Sequence, residues 1–328
     1  MNRAGLLLSA TAVLVVASCA PSSTATHSKS IVENDCGVFL TVLGVAQDAG
    51  KPQIGNHDDP AWTDASLKRL PTSIALVDQR SKKTKRWLFE ATPQVTTQLH
   101  RLHGVAPAET KLGLDGVFLT HAHIGHYAGL MFFGHEAAGA KNLPVYAMPC
   151  MANFITNNGP WSQLVKYDNI ALNVMSNKEP TSIATDITVT PFLVPHRQEF
   201  SEVVGYRIEG PEKSAFFLPD IDSWEEWDAA GTRIEDVIAS VDVAYLDAAF
   251  FANGEIPGRD MSGFPHPFVS HSMERFKSLP DTDKNKIRFI HMNHTNPLLD
   301  PDAPERKTVT SSGFNIADEG EYFCLSEG

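Results

Sequence analysis

Short apolar runs recur along most of the chain, and they are rich in the β-branched and aromatic residues that favour strands. Most have the length of a buried strand, and turn-forming residues separate them. The pattern predicts strands at 38–45, 73–78, 86–91, 117–120, 144–148, 170–175, 187–194, 203–209, 214–220, 241–247 and 286–292.

Helical periodicity lies between some of these runs. The pattern predicts helices over 93–102, 127–139, 222–230, 267–279 and 300–309. Strands outnumber helices, and both occur in each half of the chain. This arrangement predicts an α/β fold with two sheets and helices outside them, a four-layer αββα sandwich. No linker or repeat divides the chain after residue 36, so we expect residues 36–328 to form one domain.

The first 35 residues carry targeting signals. Arg3 precedes an apolar stretch that is short for a membrane span and ends in VASC. This ending resembles the lipobox of bacterial lipoproteins, in which a signal peptide, here residues 1–18, is cut before a cysteine that receives lipid, here Cys19. A polar Ser/Thr-rich tether follows over 19–35. We therefore expect an exported lipoprotein, and Ala20 resembles the pattern sent to the periplasmic side of the outer membrane. The alternative is a plain cleaved signal peptide.

The net charge of −12 argues against a nucleic-acid partner, because neutralising phosphates requires clustered Lys and Arg. The densest basic run, RSKKTKR at 80–86, lies between two predicted strands and is expected to be a solvated hairpin loop. The cysteines add one structural expectation. Cys36 and Cys324 lie near the two ends of the predicted domain and could pair in an oxidising compartment, which would leave Cys150 free. The absence of a Cys-x-x-Cys motif argues against a thiolate zinc site.

The segment GVFLTHAHIGHYAGL, which starts at residue 116, contains the most distinctive chemistry. His121, His123 and His126 follow directly after a predicted buried strand. Alternate residues of an extended turn point the same way, so His121 and His123 can bind one ion while His126 faces a neighbouring position. Neutral imidazole is a strong ligand for Zn²⁺ and Fe²⁺. The alternative is a solvated His-rich loop.

This loop resembles the signature of the metallo-β-lactamase superfamily, usually His-x-His-x-Asp-His followed by glycine. Later strand ends match the other ligands of that fold in the same order. The resemblance implies metal ligands at His196, at Asp220, which would bridge two ions, and at His291 or His294. It also implies the αββα sandwich itself.

The segment FIHMNHTNPLLDPDAPER resembles the C-terminal part of one branch of this fold, the coenzyme PQQ synthesis protein B family. The segments YLDAAFF, PHPFVS and TVLGVAQDAGKPQ resemble other parts of that family. The likeness spans most of residues 37–326. However, that branch tends to lack the histidines that correspond to His121 and His123. We therefore expect a metal-competent relative rather than an orthologue.

The chain departs from the superfamily pattern at Gly125, where an acid usually supplies a ligand to the second metal position. Either His294, which stands where the branch has asparagine, or Asp48 in the first loop could supply the missing ligand. The alternatives are a hydrogen-bonding role for His294 and a turn role for Asp48. If neither substitutes, we expect weak binding of the second ion.

These ligands imply a hydrolase in which one or two divalent ions, Zn²⁺ or else Fe or Mn, lower the pKa of bound water from 15.7 towards about 7. The resulting metal-bound hydroxide would attack an ester, lactone, phosphodiester or amide of a small-molecule substrate. Related phosphodiesterases place an acid and a histidine where Asp247 and His266 lie, which implies proton transfer to the leaving group. The alternative for this pair is to orient ligand histidines. An iron-dependent oxidative enzyme and a non-catalytic binding protein remain alternative functions.

Overall fold

The computed structural model of the chain describes Met1 and residues 36–327. Apart from Met1, the expected signal peptide, the tether and Cys19 lie outside the described residues. None of the helices in the described residues is both long and apolar enough to span a bilayer.

Fourteen strands form two seven-stranded sheets in the described part of the chain. The strands are β1 (Cys36–Gly44), β2 (Ser73–Asp78), β3 (Lys85–Phe89), β4 (Gly116–Phe118), β5 (Leu143–Ala147), β6 (Ile170–Val174), β7 (Thr181–Ala184), β8 (Ile187–Leu193), β9 (Val204–Glu209), β10 (Ser214–Leu218), β11 (Val243–Asp247), β12 (Ile287–Ile290), β13 (Asn315–Ile316) and β14 (Tyr322–Glu327). The first sheet has the order β14-β1-β2-β3-β4-β5-β6, and the second has the order β13-β12-β11-β10-β9-β8-β7.

The helices lie between the strands along the chain. They are α1 (Val95–Val105), α2 (Ile124–Tyr127), α3 (Pro149–Asn157), α4 (Ser162–Lys166), α5 (Trp224–Ala229), α6 (Ile234–Ala239), α7 (Val269–Phe276), α8 (Asp281–Lys284) and α9 (Pro304–Ser311). Four short 3₁₀ helices are also described, at Pro60–Trp62, Ala65–Leu67, Ala128–Phe133 and Pro297–Leu299.

Strand β3 shows how the layers are built, because its side chains are buried on both faces. Phe89 points between the sheets, where its ring stacks on Phe118 at 4.8 Å and meets Phe217 of the second sheet edge-on at 6.3 Å. Leu88 faces the opposite way, into a second core with Val95 of α1. A sheet buried on both faces needs a helical layer outside it. The predicted αββα sandwich is thus confirmed.

Two predicted helices are wrong in detail. Residues 127–139 form only the end of α2 and a 3₁₀ helix, because the backbone N–H of Gly129 donates to the carbonyl oxygen of Ala91 at 2.8 Å, outside the segment. The predicted helix over 300–309 begins late, at Pro304. Asp300 instead accepts a hydrogen bond from the backbone N–H of Asp302 in a preceding turn.

A disulfide joins Cys36 to Cys324 and so fastens the paired strands β1 and β14. Cys150 is an exposed free cysteine. The pairing that the sequence left open is therefore the one found.

Replacing Cys324 by serine should lower the free energy of unfolding by about 2–4 kcal/mol, because the cross-link restricts a long loop of the unfolded chain. Urea unfolding measures the change. The Cys150→Ser protein is the control and should unfold at the wild-type midpoint. A wild-type midpoint for the Cys324→Ser protein as well would contradict this account of the disulfide.

Candidate metal centre

Parallel strands of the second sheet bring three of the expected residues together. Strands β10, β11 and β12 are parallel neighbours, so their carboxyl ends meet at one edge. Asp220 follows β10, Asp247 ends β11 and His291 follows β12. Each of the three side chains is at most 3% exposed. The sheet register therefore places two carboxylates and an imidazole in one buried group.

The first sheet contributes the histidine loop that follows β4. His121 and His123 precede α2, whereas His126 lies within it. His196 comes from the chain after β8 of the second sheet. The four histidines and Asp220 thus meet where the ends of the two sheets face each other.

The first metal position is defined by three ring nitrogens and one carboxylate. The Nδ1 atom of His123 lies 2.8 Å from His121 Nε2 and 3.3 Å from His196 Nε2. Asp220 Oδ2 lies 3.5 Å from the same nitrogen of His121. Nitrogen ligands of a tetrahedral zinc ion, each about 2.0–2.1 Å from it, are about 3.3 Å apart. The donor spacing therefore fits one such cation.

The remaining nitrogen of each of these histidines has a polar partner, which fixes the orientation of the ring. The pairs are His121 Nδ1 with Thr120 Oγ1 at 2.8 Å, His123 Nε2 with Glu199 Oε2 at 3.0 Å, and His196 Nδ1 with Asp222 Oδ1 at 2.7 Å. Each ring therefore presents its unoccupied nitrogen to the shared centre.

The second position adjoins the first across Asp220. Asp220 Oδ2 lies 2.9 Å from His126 Nε2, and Asp220 Oδ1 lies 3.5 Å from His291 Nδ1. Both ring nitrogens of His291 are buried without a hydrogen-bond partner among the described residues. Buried polar atoms rarely stay unpaired. A cation beside Asp220 would satisfy one ring nitrogen of His291, so the residues fit a second ion.

Charge in the cluster also suits metal binding. Burial and the nearby His126 lower the pKa of His121 well below its usual range, which leaves the neutral imidazole that binds metals. Burial opposes ionisation of Asp220, but His291 and His126 outweigh it and hold the pKa of Asp220 well below its usual range. Burial lowers the pKa of His126, yet Asp220 and Glu90 raise it to about 10. A metal ion would displace this proton, as is usual for metal binding.

Asp247 and His266 form a buried pair beside the second position. His266 Nδ1 lies 2.6 Å from Asp247 Oδ2, and the Asp247 carboxylate also accepts the backbone N–H groups of Ile221 and Ala249. His266 Nδ1 is 3.6 Å from Asp220 Oδ1. His266 and His291 both have left-handed backbone, with φ of 88° and 66°. Such strain in non-glycine residues concentrates at functional sites.

Three groups of donor atoms, each spanning no more than 4.8 Å, occur in the described part of the chain. They are His121, His123 and His196; His121, His126 and Asp220; and Asp220, Asp247, His266 and His291. His294 lies in none of them and is only partly buried. The structure thus brings every expected ligand to the cluster except His294.

The missing acid at Gly125 is explained by the first loop. A Cβ at this position would lie 2.9 Å from both the Cα and the carbonyl oxygen of Asp48. Asp48 itself is exposed and adopts the turn conformation, with φ of 52°. It belongs to none of the donor groups. The loop therefore covers the position with backbone, and neither His294 nor Asp48 belongs to a donor group in the described part of the chain.

Restoring the usual acid with Gly125→Asp should destabilise the protein by about 1–3 kcal/mol, because the new side chain overpacks against the Asp48 backbone. We expect Gly125→Ala to be destabilised as well, since the first added carbon already makes the contact. Thermal unfolding of the metal-free proteins measures this. Wild-type stability of the Gly125→Asp protein, together with tighter binding of a second zinc ion, would contradict the account.

The sequence did not predict the three acids that lie beside the ligand histidines, which are Glu90, Glu199 and Asp222. Glu90, at the end of β3, is fully buried, and its Oε2 atom lies 3.6 Å from His126 Nδ1. Its backbone is left-handed, with φ of 76°, and burial raises its pKa. The acid near the end of the run RWLFEA was the available signal. It follows β3, which is the parallel neighbour of β4, and the histidine loop follows β4. Glu199 and Asp222 had no comparable signal.

The fold and the cluster define the class: an αββα sandwich whose histidines and aspartates meet at the facing ends of its two sheets. The family comparison agrees. The protein-family model described as "Beta-lactamase superfamily domain" matches residues 85–292, so the chain belongs to that superfamily.

Individual relatives indicate the branch. The chain is 23% identical to coenzyme PQQ synthesis protein B of Cupriavidus necator over 318 residues, which cover 87% of this chain and 99% of the relative. Among solved structures, Zn²⁺-bound PqqB from Methylobacterium extorquens has a TM-score of 0.70 at 20% identity and covers 87% of this chain and 99% of its own. A diphosphatase of the PhnP family has a TM-score of 0.61 at 21% identity, with coverage of 87% and 96%. The predicted resemblance to this branch is confirmed.

Proposed function

We propose that the chain is a metal-dependent hydrolase that cleaves an ester, lactone, phosphodiester or amide bond of a small molecule. The observation that carries the proposal is the convergence of His121 Nε2, His123 Nδ1 and His196 Nε2 with the Asp220 carboxylate. Catalytic zinc sites use three protein ligands, with water in the fourth position, and some expand to five ligands. Three ring nitrogens at one position, with Asp220 shared between the two positions, match this donor set. The similarity to a diphosphatase supports hydrolysis, although at 21% identity it establishes the fold alone.

A divalent cation held by this cluster would supply a water of lowered pKa and would polarise the carbonyl or phosphoryl oxygen of the substrate. The protein's own residues do the rest. Asp247 accepts a hydrogen bond from His266 Nδ1 and so fixes the ring, with its Nε2 directed away from the carboxylate. The side-chain amide nitrogen of Gln47 lies 3.4 Å from that Nε2 atom. We assign proton transfer to the leaving group to His266, held by Asp247.

The proposed enzyme is an exported lipoprotein anchored through Cys19 on the periplasmic side of the outer membrane. The lipobox-like ending VASC supports this location. The Cys36–Cys324 disulfide supports export as well, since such bridges persist in oxidising compartments. Mass spectrometry of Cys19 peptides from membrane fractions tests the anchor. An unmodified mature chain that begins elsewhere and stays in the periplasmic extract would contradict it.

A second candidate function is oxidation, with iron in the cluster. The relatives named coenzyme PQQ synthesis protein B match over almost their whole length, and their name gives a role in coenzyme synthesis rather than hydrolysis. The histidine and carboxylate donors suit iron as well as zinc.

One experiment separates the two functions. Protein loaded with Zn²⁺, Mn²⁺ or Fe²⁺ is tested on ester, lactone, phosphodiester, amide and β-lactam panels, with O₂ consumption recorded in parallel. The hydrolase proposal expects turnover with zinc or manganese and none in the metal-free protein. Iron-dependent O₂ uptake without hydrolysis would favour oxidation. Metal-loaded protein that is inert in both assays would contradict both.

A further inference from the structure

Access to the cluster is from one side. The His123 side chain is 22% exposed, whereas no other donor of the three groups exceeds 5%. A molecule that reaches the shared centre must therefore approach past His123. The residues that flank this histidine are the ones that a substrate contacts outside its reacting bond.

Two exposed apolar side chains flank His123. Ile124 follows it in the chain and is 69% exposed. Phe200 is 60% exposed and follows Glu199, whose carboxylate lies 3.0 Å from His123 Nε2. The next residue, Ser201, accepts a hydrogen bond from the backbone N–H of Ala122 at 2.9 Å. The 199–201 segment is thereby fixed to the histidine loop, and Phe200 lies between the two residues that contact it.

The Phe200 ring packs against other aromatic rings. Its centroid lies 5.4 Å from that of Phe154 on α3. Phe154 in turn contacts the rings of Tyr127 at 5.5 Å and Trp161 at 6.0 Å. Aromatic contacts of this kind restrain a side chain and favour one orientation. The exposed part of the Phe200 ring is thus a supported apolar surface on the 199–201 segment.

We propose that Ile124 and Phe200 form a subsite for an apolar substituent of the substrate, such as the acyl chain of an ester or lactone. The proposal rests on the proposed hydrolase function. Two side chains are too few for a stable dimer interface, which buries about 800 Å² on each partner.

The first test measures binding without turnover. The probes are straight-chain alkyl hydroxamates from acetyl to octanoyl, which bind zinc through their head group, and isothermal calorimetry of the zinc-loaded protein gives Kd. Burial of one methylene contributes about 0.8 kcal/mol, or about fourfold in affinity. We expect Kd to fall two- to fourfold with each of the first methylenes added. A Kd that does not depend on chain length would overturn the subsite.

Substitutions at Ile124 and Phe200 test whether these two side chains cause the dependence of Kd on chain length. Phe200→Ser and Ile124→Ser should flatten the dependence on chain length while leaving the Kd for acetohydroxamate within about twofold of wild type. Val174→Ser removes an exposed apolar side chain on the edge strand β6 and should keep the full dependence. If Val174→Ser flattens it equally, or the other two do not, the subsite is not at Ile124 and Phe200.

Ester hydrolysis separates this proposal from the general function. With 4-nitrophenyl esters from acetate to octanoate, we expect kcat/KM to rise with chain length in parallel with hydroxamate affinity. Hydrolysis of all esters at similar rates would overturn the subsite and leave the hydrolase. A chain-length effect on hydroxamate binding without any ester or lactone turnover would support the apolar subsite and contradict hydrolysis of esters and lactones.

Discussion

Replacing Asp220 by asparagine should abolish hydrolysis and weaken zinc binding at both positions. We expect kcat/KM to fall by ~10³-fold or more, because the loss of several kcal/mol of transition-state stabilisation corresponds to about three decades in rate. Steady-state kinetics and elemental analysis after dialysis against zinc measure the two effects.

The expected size of the effect follows from the position of the carboxylate. Its Oδ2 atom lies 3.5 Å from His121 Nε2 and 2.9 Å from His126 Nε2, and its Oδ1 atom lies 3.8 Å from His196 Nε2. One side chain therefore contributes to both groups of ligands. A neutral amide removes the negative charge that balances a cation in this buried site.

Asp186→Asn is the matched control, since Asp186 is an exposed turn residue with φ of 57°, a conformation that asparagine also adopts. It should keep wild-type zinc content and activity. If the Asp220→Asn protein retained two zinc ions and normal turnover, Asp220 could not be the residue shared by the two positions.

Replacing His266 by glutamine should lower kcat by about 10²- to 10⁴-fold, which is the range for loss of a general acid or base. KM and zinc content should change little, because His266 acts on the leaving group rather than on binding. The loss should shrink for esters with acidic leaving groups, which depart without a proton.

His271→Gln is the control for this second effect, because His271 lies in α7 with a side chain that is 48% exposed. It should leave the rates unchanged. Loss of a zinc ion from the His266→Gln protein would instead make His266 a ligand, and an equal loss of rate for all leaving groups would argue against proton transfer.

The sequence predicts much of the site because its ligands follow strands. The resemblance to the metallo-β-lactamase superfamily implied Asp220 and His291 as ligands. The structure brings them together because β10, β11 and β12 are consecutive parallel strands whose carboxyl ends meet at one edge. The spacing of His121, His123 and His126 in one loop predicted three further ligands of the site. The loop spacing is a local pattern that a sequence carries, whereas the ligands at the strand ends were predicted through the family resemblance.

What the sequence could not show depends on contacts between distant segments. The glycine at 125 results from the close approach of the Asp48 backbone, which has no local signature. Glu199 and Asp222 are distant in sequence from the histidines that they orient. His294 was a candidate ligand because it is a histidine close to His291 in the sequence. His291 rather than His294 lies in the cluster.

The most direct test is anomalous diffraction at the zinc edge from crystals of the protein soaked in Zn²⁺. We predict a peak within about 2.0–2.1 Å of His121 Nε2, His123 Nδ1 and His196 Nε2, with Asp220 in contact. A second, weaker peak should lie on the His126 and His291 side of Asp220. A fully soaked crystal with no peak at the three histidines would contradict the claim that they bind one cation.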